Sequence, residues 1–196
     1  MTLERHARLG GTEGNERLTS AAALVLVGLL VAEGVTIVHM RGLVGAHMFV
    51  GLVLIPPVVL KLASTGYRFV RYYTGARAYR EKGPPRLPLR LLAPVLVGST
   101  VVVFLTGVLL LGAGHKSHTL LELHKLSFIV WGVVFAVHLL AYAARAVRTV
   151  LADWGASRRA VPGTGVRGML VVAAVGGGAV LALSLIPAID AWRGGH

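Results

Sequence analysis

His47 and His124 each lie a few residues inside a long apolar stretch, GAHMFVGLVLI and LELHKLSFIVWG, and fourteen residues beyond them come two further nitrogen bases, Lys61 and His138. Fourteen helical steps cover about 21 Å and return to nearly the same face. Ionisable side chains inside membrane-spanning segments are costly and mark candidate functional positions. A neutral imidazole is the common nitrogen ligand for iron. The pattern therefore predicts a haem held within the membrane by His47 and His124, with a second cofactor level beneath it at Lys61 and His138.

Those residues need helices to carry them, and the composition supplies them. Of the 196 residues 55% are hydrophobic and the mean hydropathy is +0.73, too apolar for a soluble domain and enough for several spans. The sequence predicts an all-α integral membrane bundle: a four-helix haem-binding core plus a fifth transmembrane helix. There is no cysteine, which excludes disulfides, thiolate-bound iron–sulfur clusters and covalent c-type haem. A net charge of +12 would suggest nucleic acid in a soluble protein. Here the basic residues fall between apolar segments, so membrane lipid is the expected neighbour and nucleic acid is not.

Five segments are long enough to cross about 30 Å of hydrocarbon: residues 19–38, 43–66, 89–112, 119–145 and 167–189. They divide the chain into a tail over 1–18, a four-helix core over 19–148, a linker over 149–166, and a last span with a short tail over 167–196. Of the 20 Lys and Arg, 15 fall on the side of the N-terminal tail and only 4 on the other, with Lys61 inside the second span. By the positive-inside rule the N-terminus is cytoplasmic and the C-terminus outside. The first span reads as a retained helix, because its apolar run exceeds a signal-peptide h-region and no small-residue cleavage pattern follows. RGLV and GAGHKSH read as short outer connections, and YYTGARAYREKGPPRLP as a basic inner loop. Tyr67, Tyr72, Tyr73, Tyr79, Trp154 and Trp192 have the placement of interfacial anchors.

This topology sets His47 and His124 at matching depth, roughly 6–8 Å into two helices running the same way. Across a bundle they could provide both axial nitrogens of a haem b; each alone could equally be a polar helix contact or snorkel to the interface. His138 faces the same way as His124 but lacks a histidine partner. Lys61 stands at that level, where a desolvated neutral amine could ligate iron, or an ammonium could snorkel or meet a haem propionate. One haem b is thus expected, with room for two.

The histidines near the outer face of the second and fourth spans, with the further histidine in HKLSFIVWGVVFAVH, resemble the transmembrane b-type cytochromes, including cytochrome b561-like and respiratory cytochrome b proteins. The resemblance covers residues 19–148. It implies His47 and His124 as an outer ligand pair, His138 as an inner ligand, and electron transfer between a quinol or other donor and a partner oxidoreductase. Lys61 departs from the family pattern, which has histidine there. GAHMFVGLVLIPPVVLKLASTGYRFVRYYTG is similar to small cytochrome-like membrane proteins of high-GC bacteria. That likeness implies a bacterial cytoplasmic membrane and a redox partner such as a molybdopterin oxidoreductase, the chain being a subunit rather than an independent enzyme.

Other polar residues complete the expectation. Glu33 and His39 could accept protons from a quinol at the outer face, or Glu33 could be a hydrogen-bonded helix contact. His115, His118 and Glu122 lie nearby and could share that role; His115 and His118 read chiefly as solvated loop residues, with a metal site the weaker reading. Gly28, Gly34, Gly51, Gly107, Gly112 and Gly132 leave flat patches that suit helix packing or a porphyrin. Pro56-Pro57 should kink the second span. The fifth helix has no iron ligand and should pack outside the four-helix core. A haem-free transporter and a structural anchor subunit are the competing readings.

Overall fold

The computed structural model of the protein describes residues 10–83, 87–114, 117–154 and 161–194. These form α1 (Gly11–Val38), α2 (Met40–Tyr73), α3 (Arg77–Glu81), α4 (Leu87–Ala113), α5 (His118–Trp154), α6 (Thr164–Ser184) and α7 (Ile186–Gly194). Five are long and apolar enough to cross a membrane, and in each only 6–22% of the most apolar stretch is buried inside the protein. Their remaining apolar surface belongs against lipid, so this is a multi-pass helical membrane protein.

The helices outrun the apolar segments that define them. Helix α1 begins at Gly11, inside the stretch read as a tail, and α5 continues to Trp154, beyond the expected end at 145. At the first hairpin His39 separates α1 from α2, and the torsions break again at Leu43, within the expected RGLV connection, so Met40–Gly42 form a turn before the longer part of α2. The last span stops at Ser184, and after Leu185 α7 follows as a separate short helix. His115, His196 and residues 155–160 of the linker lie outside the described residues.

Packing contacts link α1 with α2, α2 with α4, α4 with α5, and α5 with α1, which closes a four-helix ring. Helices α2 and α5, the two that carry His47 and His124, are therefore diagonal partners. Helix α6 lies outside the ring against α1 and α2, as a span without ligands was expected to, while α7 contacts α2, α4 and α6. Pairing within the ring is antiparallel: Thr36 of α1 meets His47 of α2, and Thr19 meets Ser64.

The Pro56-Pro57 pair does not interrupt helical torsions; the non-helical torsions in α2 fall at Leu43 (φ −118°, ψ 18°). Proline deprives the carbonyl four residues earlier of its N–H donor, which for Pro57 is the Val53 carbonyl. That carbonyl is covered by α6: Gly178 brings its bare Cα so close that a Cβ there would overlap the Val53 oxygen. A Cα–H contact of this kind is a recognised partner at helix interfaces, and freed backbone groups in membranes must be met by a neighbour. Leu52, Val53, Ala182 and Ile189 bury around this crossing. Packing against α6 thus covers the group that Pro57 frees.

At the opposite end from His47 the tyrosines gather into a knot. Tyr67 and Tyr79 meet edge to face at 6.0 Å, Tyr73 meets Tyr72 edge to face and Phe69 at a tilt, and Arg90 lies over Tyr73. Tyr79 is buried in α3, and that burial pushes its phenol pKa up.

Candidate functional site

The diagonal geometry brings His47 and His124 together. Their ring centroids are 6.2 Å apart and their planes are inclined by 65°. Each ring is anchored at Nδ1 from the neighbouring helix. His47 Nδ1 lies 2.9 Å from Glu33 Oε1 of α1 and 3.4 Å from the Thr36 hydroxyl. That hydroxyl also lies 2.6 Å from the Glu33 carbonyl and 3.2 Å from Glu33 Oε2, and both oxygens can accept from it. His124 Nδ1 lies 3.1 Å from Thr106 Oγ1 of α4. The Thr106 hydroxyl donates to the Val102 and Val103 carbonyls, so its oxygen is left to accept from Nδ1–H. No hydrogen bond reaches either Nε2 among the described residues.

This arrangement suits one metal between two imidazoles. A metal–imidazole bond of about 2 Å places the ring centres of two opposed ligands roughly 6 Å apart, close to the separation observed here. Each ligand can turn about its own metal–nitrogen bond, so a 65° inclination is compatible with that role. An outer hydrogen bond at Nδ1 that fixes the tautomer and leaves Nε2 open is the usual support of a metal-binding histidine.

The space beside the rings is apolar and partly open. A cavity of about 300 Å³ has Phe104, Trp131, Trp192, Gly51, Gly107 and the two histidines among its walls. That volume is at the lower end of the range for cofactor sites. Gly107 matters sterically, because a Cβ there would lie 3.1 Å from His124 Cε1. Gly51 faces Glu33, while Gly28, Gly34, Gly112 and Gly132 have open space at the Cβ position. Two of the six glycines singled out thus line the cavity, and the other four do not.

The remaining predicted residues divide. Glu33 reaches the site, whereas His39 is exposed and its Nδ1 bonds back to the Val35 carbonyl at 3.1 Å. His118 is exposed and Glu122 pairs with Lys125 at 2.9 Å. No group of three His, Cys, Asp or Glu side chains able to hold a metal occurs among the described residues.

At the second level Lys61 donates to the Thr19 carbonyl at 3.0 Å, within a polar rung that also joins Asn15 and Ser64. His138 has a buried Nδ1 without a hydrogen-bond partner, and its ring sits 4.7 Å from that of Tyr142 on the same helix. Between the levels Trp131 stacks on Phe135 at 4.8 Å and donates to Thr100 at 3.0 Å.

Three contributors escaped the sequence reading. Thr36 and Thr106 anchor the histidine rings, and Trp192, read as an interfacial anchor, lines the cavity because α7 turns back onto α2 and α4. The only signal for the threonines was a hydroxyl inside an apolar run.

The site and fold together define a class, a five-span helical membrane bundle with a paired-histidine site on its central diagonal. No family model, no curated protein and no solved structure matches the chain.

Proposed function

We propose that the protein is a membrane electron-transfer protein that binds one haem b between His47 and His124. The observation that carries this reading is the meeting of the two rings at 6.2 Å with both Nε2 atoms open. A haem bound there would supply reversible one-electron chemistry. The chain's own part is to fix both imidazoles through Glu33 and Thr106, to clear space at Gly51 and Gly107, and to surround the site with apolar side chains that exclude water.

The 15-to-4 bias of Lys and Arg supports a cytoplasmic N-terminus, which sets the site near the outer face of a bacterial cytoplasmic membrane. A quinol or another reductant, and a partner oxidoreductase of the molybdopterin kind, are the exchange partners this reading proposes. The proposal stops at one haem, since the Lys61 ammonium is engaged by the Thr19 carbonyl. The test is a reduced-minus-oxidised visible spectrum of the purified protein, with haem quantified as the pyridine haemochrome. One b-type haem per chain is expected. A colourless protein after expression with ample haem would overturn the reading in favour of a transporter or anchor subunit.

A further inference from the structure

The two histidines are held by unlike groups. His47 Nδ1 meets a carboxylate at 2.9 Å, with side-chain exposures of 20% for His47 and 11% for Glu33. His124 Nδ1 meets a hydroxyl, whose proton is taken by backbone carbonyls. Among the described residues no lysine or arginine pairs with Glu33; its side-chain contacts are with His47 and Thr36. In this low-dielectric setting a charged acceptor makes a stronger hydrogen bond than a neutral one.

We infer that Glu33 is a positioning residue that lowers the reduction potential of the site through His47, an inference that rests on the haem reading. A carboxylate drawing on Nδ1–H makes the imidazole a more basic ligand. A more basic ligand, with a negative charge close by, favours the oxidised iron over the reduced one. Thr106 orients His124 without adding charge, so the two sides of the site contribute unequally. The single Thr36 hydroxyl proton is divided between the Glu33 carbonyl at 2.6 Å and Glu33 Oε2 at 3.2 Å, so Thr36 draws off part of the carboxylate charge.

The test is a potentiometric titration of the purified full-length protein, reduced with dithionite and reoxidised with ferricyanide, one electron per haem. Glu33→Gln keeps an oxygen acceptor and removes the charge. Its midpoint should rise by at least tenfold in the oxidised-to-reduced ratio, which is about 59 mV for a one-electron couple. Thr106→Val should move it less than threefold. The electron paramagnetic resonance spectrum of the oxidised protein should change in Glu33→Gln, because the ligand field at His47 changes.

If Glu33→Gln retains no haem, Thr36→Val carries the test. It keeps the charge and removes one donor, so the midpoint should fall by at least threefold. A midpoint that rises in Thr36→Val, or stays within twofold of wild type, overturns the inference. So does a haem-bound Glu33→Gln whose midpoint stays within threefold, even if its haem content drops, since that outcome marks a merely structural residue. A colourless wild type would overturn the haem reading itself and this inference with it.

Discussion

The two ends of the α2–α5 diagonal begin from similar residues and arrive at different environments. At one end His47 and His124 are each fixed at Nδ1 by a neighbouring helix, and glycines leave room beside them. At the other end the Lys61 ammonium turns to the Thr19 carbonyl of α1, and His138 rests against Tyr142 of its own helix with Nδ1 unmet. A nitrogen base within a membrane helix becomes a ligand only where its neighbours settle its tautomer and clear space for what it binds. At the first level both rings have a partner at Nδ1 and glycines beside them; at the second the Lys61 nitrogen is taken by Thr19 and His138 Nδ1 has no partner, although fourteen residues of helix relate the two.

The largest effect should come from removing one ring of the first pair. His47→Ala and His124→Ala are each expected to reduce the pyridine haemochrome to below about a tenth of wild type, since losing a ligand should cost at least the tenfold that losing an outer-layer partner of a metal site costs. His138→Ala and Lys61→Met should leave its stoichiometry unchanged. A loss of half the haem in His138→Ala would break the comparison. It would restore a second haem at the lower level and require Lys61 to leave Thr19 in the loaded protein.

How much of this was legible depends on range. The spans were legible because hydropathy alone places them. The shared depth of His47 and His124 was legible because two same-direction helices with short outer turns fix it. What could not be read was which helices are diagonal, since that depends on packing between α1 and α5 and between α2 and α4. Without that, Thr106 could not be assigned to His124 or Thr36 to His47. Pro56-Pro57 shows the limit most clearly. The torsions there stay helical, and Gly178, more than a hundred residues away, covers the carbonyl that Pro57 frees, a partner the local sequence does not name. Trp192 escaped although Pro187, two residues past the break at Leu185, is a signal for that break; what the proline does not tell is that the following helix folds back onto α2 and α4.

A smaller effect tests the space rather than the ligands. Gly107→Ala places a Cβ 3.1 Å from His124 Cε1, so the ring must yield by a few tenths of an ångström. Second-layer changes at metal sites cost about ten- to a hundredfold in affinity, and a tenfold faster loss of haem to excess apomyoglobin is expected here. Gly132→Ala, on α5 one turn beyond Phe128, meets nothing within 4 Å and should match wild type. Equal rates in the two variants would mean that His124 accommodates freely and that the glycine is not what prepares the first level.

The smallest effect belongs to the second level, where the polar rung should be purely structural. Ser64 accepts from Thr19 at 3.0 Å and donates to the Lys61 carbonyl at 3.0 Å, buried between α1 and α2. Interhelical hydrogen bonds in membranes average about 0.6 kcal/mol, because the unfolded helices find other partners in the bilayer. Ser64→Ala should therefore lower stability by about that amount in a detergent unfolding titration, and leave the visible spectrum and midpoint untouched. A shifted midpoint would show that the rung reaches the first level through α2 and that the two ends of the diagonal are not independent. The buried Leu52–Leu54 segment between them, packed against α6, argues for independence, since a closely packed crossing restrains displacement from passing along the helix.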